Sequence, residues 1–130
     1  MKVNIYYGGR GVLDDPTLYV IQKMESVLIE LRVEVHRYNI YEQKNAISML
    51  PQTLKDVDGI ILATTVEWLG IGGYMNQFLD ACWLYGDKES ISSIYMQPVV
   101  MSTTYGEREG ALTLENAWEI LGGLPCAGLC

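Results

Sequence analysis

The sequence predicts a three-layer α/β/α fold around a doubly wound, five-stranded parallel sheet. Two observations carry that expectation. Strand-like runs alternate one for one with runs of helical periodicity. The third and fourth strand runs are also rich in uninterrupted apolar residues, as strands covered on both faces of a parallel sheet are. Right-handed crossovers then leave only a few topologies.

Residues Lys2–Tyr7 are β-branched and aromatic and stop at Gly8-Gly9, which reads as a strand followed by a turn. Over residues 17–32, Leu18, Ile21, Met24, Leu28 and Leu31 recur at helical spacing, so this helix packs on one side. In residues 33–38, Val33 and Val35 alternate with Glu34 and His36, the pattern of a half-exposed second strand. A second helix is expected over residues 45–57 from Ile47, Leu50, Leu54 and Val57, with Pro51 starting or kinking it. Residues 59–63 form the third strand, residues 75–84 a third helix and residues 97–102 the fourth strand. A fourth helix over residues 112–121 and a fifth strand beginning over residues 124–129 complete the set. Met24, Met49, Met75, Met96 and Met101 are read as core fillers.

The 130 residues match one domain, 1–130, with one sizeable core. No helix follows the fifth strand, so a C-terminal helix is lacking, and either further chain or a second subunit is expected to cover that sheet face. The formal charge of −7 argues against a nucleic-acid or anionic-membrane partner, and no apolar run approaches the ~20 residues of a membrane span. No signal-peptide pattern opens the chain. Cys82, Cys126 and Cys130 are an odd set without metal or redox spacing, which suits a reducing, cytoplasmic location. His36 is read as a surface histidine, and Cys126 and Cys130 as packing residues.

Several motifs fail. Gly9-Arg10-Gly11 starts a dinucleotide fingerprint, but Asp14 stands where its third glycine belongs. No phosphate-binding G-K-[ST] is present, and Thr64 ends the third strand where a phosphoacceptor domain needs aspartate. In a doubly wound sheet, ligands lie beyond the carboxyl ends of the strands where the strand order reverses. The loops over residues 8–17, 64–74 and 102–110 are therefore the candidates. In the first, Gly9, Arg10 and the amides up to Thr17 are expected to receive the anionic group of a nucleotide ligand. Asp15-Pro16 is itself a complete helix start, however, and a capping carboxylate competes for the same amides. The second loop crowds Trp68, Tyr74 and several glycines together, which suits a planar ring or a subunit contact.

Thr65-Val-Glu-Trp68, followed by Met75-Asn-Gln-Phe-Leu-Asp80, resembles the third-strand loop and helix of the flavodoxin-like NAD(P)H-dependent FMN reductases and iron–sulfur flavoproteins. The cysteine cluster of the latter is missing, so no iron–sulfur centre is implied. The resemblance implies a flavodoxin-like fold, FMN and NAD(P)H as cofactors, and a flavin, quinone or other small molecule as electron acceptor. It implies that Thr65, Glu67, Trp68 and Gly70 line the flavin ring, and that Thr103, Thr104, Tyr105 and Gly106 border its other edge. It also implies a homodimer. The flavin would carry the chemistry, so no protein residue need be catalytic. Two other readings stay open: a cofactor-free interaction or regulatory module presenting Trp68, Tyr74 and Trp83, and a transferase using Glu67 as nucleophile or base.

Overall fold

The computed structural model describes residues 1–67, 70–102 and 105–126. Its elements are β1 (Lys2–Tyr7), α1 (Pro16–Glu30), β2 (Glu34–Asn39), two 3₁₀ helices (Ile40–Gln43 and Ile47–Leu54), β3 (Gly59–Thr65), α2 (Gly73–Tyr85), α3 (Lys88–Ile91), β4 (Tyr95–Met101), α4 (Glu107–Leu121) and β5 (Leu124–Pro125). All strand pairs are parallel, and the sheet order is β2-β1-β3-β4-β5, the flavodoxin-like order.

The pleat of β1 divides the core. Val3, Ile5 and Tyr7 join Ile61, Ala63 and Ile21 under α1 on one face. Tyr6 points to the other face, into a cluster with Leu62, Met75, Phe78, Leu114 and Trp118 from α2, α4 and β3. Tyr6 stacks on Phe78 at 4.5 Å between ring centres, and the indole N–H of Trp118 donates to the Ile94 carbonyl at 3.0 Å.

Helix α1 starts where Asp15 and Pro16 place it, with Asp15 as N-cap. It stops at Glu30 rather than at 32 because Arg32 turns left-handed (φ 64°), and Val33 N–H then closes back on Leu28 O at 3.0 Å. The expected second α-helix is instead the 3₁₀ segment Ile47–Leu54, since Pro51 has no N–H for an α-helical ladder. Ile47, Leu50 and Leu54 still face the core, whereas Met49 is 55% exposed and is no core filler. Helix α4 begins at Glu107, earlier than its apolar periodicity suggests, because its first turn is polar and holds Gly110. The short α3, capped by Asp87, has no signal in the hydrophobic pattern. Among the described residues β5 pairs with Tyr95 and Met96 at the start of β4. Leu124 begins the fifth strand as expected, and residues 127–129 of that expectation lie outside the described residues.

A buried polar tie anchors the 3₁₀ segment to the sheet. The Asn4 side-chain amide donates to the Tyr6 hydroxyl at 3.0 Å and to the Thr53 carbonyl at 2.9 Å, and Tyr6 and Thr53 share a hydrogen bond of 2.6 Å.

Candidate functional site

The chain leaves β1 for β2 on one side and returns to β3 on the other, so the order reverses between β1 and β3. Tyr7 and Thr65 end those strands, and the loops after them meet there. Beyond these ends lies an open cleft of about 500 Å³, lined by Arg10, Glu67, Gly73, Tyr74 and Gln77. That volume falls within the usual range of ligand sites.

The second loop folds on itself: Glu67 and Gly70 exchange backbone hydrogen bonds of 2.9 and 2.8 Å. Gly72 then adopts φ 89°, a conformation open to glycine, and turns the chain into α2. This places the Glu67 carboxyl over Gly72 at the helix start, where a carboxylate is favoured by the orphan N–H groups. Arg10, reaching across from the first loop, pairs with Glu67 at 3.2 Å. Arg10 is 65% exposed, so the pair orients the cleft mouth more than it stabilises the fold.

Asp15 dominates the first loop. Its side chain is almost wholly buried, and its Oδ1 accepts from the Thr17 N–H at 3.0 Å and from the Thr65 hydroxyl at 2.5 Å. The Tyr7 hydroxyl donates to Oδ2 and itself accepts from the Gly11 N–H at 3.2 Å. Burial, and secondarily this bond to Asp15, hold the Tyr7 hydroxyl well above the usual tyrosine range. Gly9 passes so close above that a Cβ there would overlap the Tyr7 hydroxyl and come within 2.8 Å of Asp15 Oδ2.

The site residues expected from sequence therefore divide. Arg10 and Glu67 come together at the cleft, with Gly70 closing the loop that carries Glu67. Gly9 lies over the Asp15 carboxylate. Thr17 and Thr65 hydrogen-bond each other at 2.7 Å, Thr17 is fully buried with its hydroxyl also on the Thr64 carbonyl at 3.1 Å, and both serve Asp15. Tyr105 is exposed, and Gly106 sits against Val66, so the third loop adjoins the second. Trp68, Thr103 and Thr104 lie outside the described residues. Gly73 and Gln77 were not legible as lining residues. The i, i+3 spacing of Tyr74 and Gln77 on the first turns of α2 is the signal that pairs them.

The fit of FMN is mixed. The cleft suits a flat ring beside Tyr74, and Arg10, Glu67 and Gln77 offer polar edges. Its phosphate does not fit the start of α1, where the Asp15 carboxylate already takes the Thr17 N–H and the Tyr7 and Thr65 hydroxyls and would itself repel a dianion.

No protein-family model and no curated protein matches the sequence. Solved structures do match. RosB with a bound 8-demethyl-8-formylriboflavin-5′-phosphate intermediate superposes with a TM-score of 0.78 at 14% identity, covering 96% of this chain and 61% of RosB. The NADH:FMN oxidoreductase EMOB, in its apo form, gives 0.74 at 14% identity, covering 95% of this chain and 71% of that one. An FMN-dependent NADH-azoreductase from Bacillus anthracis, in complex with FMN, gives 0.71 at 12% identity, covering 95% and 83%. The chain thus spans under two thirds of RosB and more of the other two, and it has the flavodoxin-like fold these proteins share.

Proposed function

We propose that this chain is a flavin-dependent oxidoreductase that takes reducing equivalents from NAD(P)H and passes them to a small acceptor such as a quinone or a free flavin. The observation that carries this reading is the cleft at the β1/β3 reversal, framed by Arg10, Glu67, Tyr74 and Gln77. Structures of the same fold from proteins described as acting on or with flavins support it. A flavin bound there would supply the redox chemistry. The chain's own part is to seat the ring against Tyr74 and to fix its polar edge with the Arg10–Glu67 pair. Trp68 is proposed to line the ring with Thr65, Glu67 and Gly70, and Thr103, Thr104, Tyr105 and Gly106 to border its other edge.

We also propose a homodimer. Exposed Val27, Ile29 and Leu31 at the end of α1, and Trp83, Leu84 and Tyr85 at the end of α2, offer apolar surface for pairing. A reducing, cytoplasmic setting suits the reduced thiol of Cys82 in the core. Among the described residues no helix is long and apolar enough to cross a membrane.

The test is anaerobic: protein is mixed with flavin and NADH or NADPH, and flavin absorbance is followed with and without a quinone. Bleaching that needs the protein, and recovery on adding quinone, is the expected outcome. The filled first loop is also what a cofactor-free module would show, and protein that leaves every flavin unbound would establish that alternative.

A further inference from the structure

Resting on the flavin reading above, we infer that the cleft selects a flavin without a 5′-phosphate, of the riboflavin class, and that Asp15 is the residue that sets this choice. In a sheet of this order the start of α1 is the place where backbone N–H groups and the helix dipole meet an anion. Here the anion is part of the chain. Asp15 lies buried with three donors on its carboxylate: the Thr17 N–H, the Thr65 hydroxyl and the Tyr7 hydroxyl.

These donors come from three elements, the ends of β1 and β3 and the first turn of α1, so the carboxylate is held by the sheet itself rather than by a mobile loop. Gly9 packs directly over the Tyr7 hydroxyl and the Asp15 carboxylate, so close that a Cβ on it would overlap the hydroxyl, and this fixes the carboxylate from that side as well. A phosphate dianion near this point would meet a fixed carboxylate, with Asp14 exposed next to it. The cation lining the cleft among the described residues, Arg10, is already paired with Glu67. A neutral ribityl chain needs none of these donors. The cleft is open to solvent, so such a chain can keep its hydroxyls in water.

The experiment compares riboflavin and FMN by quenching of flavin fluorescence, in the wild-type chain and in Asp15→Asn, which keeps the shape and an acceptor oxygen but removes the charge. Riboflavin is expected to bind at least about tenfold more tightly than FMN to the wild type, and inorganic phosphate in excess is expected not to displace it. In Asp15→Asn the preference should narrow several-fold, through a gain for FMN. Should that variant fail to fold, the wild-type ratio decides alone. FMN binding as tightly as riboflavin, or more tightly, would overturn the inference and leave the flavin reading standing. Binding of neither flavin would overturn both. An unchanged ratio in a folded Asp15→Asn would remove Asp15 as the selector.

Discussion

Asp15 links the helix start, the ends of two strands and the floor of the first loop, so its removal should act on several interactions at once. Asp15→Ala loses an N-cap, which costs about 0.5–2 kcal/mol. It also leaves the Tyr7 hydroxyl without its acceptor, whereas the Thr65 hydroxyl can still donate to Thr17 Oγ1, and a buried orphaned group costs about 1–3 kcal/mol. Urea unfolding should show a midpoint shift larger than that of a simple cap deletion, and a shift within 1 kcal/mol would mean the network is slack. Tyr6 and Tyr7 both have hydroxyls pushed well above the ordinary tyrosine range, mainly by burial. Their folded-state pKa values are raised, so their contribution to stability is complete below the unfolded value of about 10 and is lost as pH rises above it. Unfolding midpoints should therefore fall steeply above about pH 10, and fall less in Tyr6→Phe; equal alkaline slopes in both proteins would contradict this. Burial likewise pushes the Cys82 thiol up to about 12, so alkylation mapped by mass spectrometry should leave Cys82 unmodified in the native chain and modify it in denaturant.

At the scale of elements, the strands and the packed faces of α1 and α2 were legible because burial against a sheet imposes periods of 2 and 3.6 on the apolar residues. The 3₁₀ segment Ile47–Leu54 was misread as α-helical because its apolar spacing fits either helix, and only the effect of Pro51 on the backbone separates them. The early start of α4 was hidden for a different reason: Ser102 and Glu107 hold it through polar contacts that no apolar period records. The Ser102 hydroxyl donates to Glu107 at 2.5 Å and lowers its carboxyl pKa, so that stabilisation is present above the unfolded value and is lost as pH falls through the folded one. Ser102→Ala should raise the Glu107 pKa by NMR titration and destabilise at neutral pH but not in strong acid. Of the candidate site, the Asp15-Pro16 start and the competition it poses for a phosphate were readable from local sequence. The Tyr7–Asp15–Thr65 network was not, because it joins residues 8 and 50 positions apart through the topology of the sheet.

Across the whole molecule, a dominant layer of α2, α4 and the 3₁₀ segment on one sheet face opposes α1 on the other, with apolar side chains left exposed at the ends of α1 and α2. A homodimer pairing these ends should sediment at twice 14.6 kDa, and Trp83→Glu should shift it to the monomer; a wild-type monomer at tens of micromolar would remove the pairing surface. The central claim is that the cleft beyond β1 and β3 is where a flavin binds. Amide hydrogen exchange with and without saturating riboflavin tests it directly, since bound ligand protects the backbone it covers. The account expects protection confined to residues 9–11, 66–77 and 103–106, with the far ends of the strands unchanged. Protection centred elsewhere, or none in a complex shown to form, would contradict it.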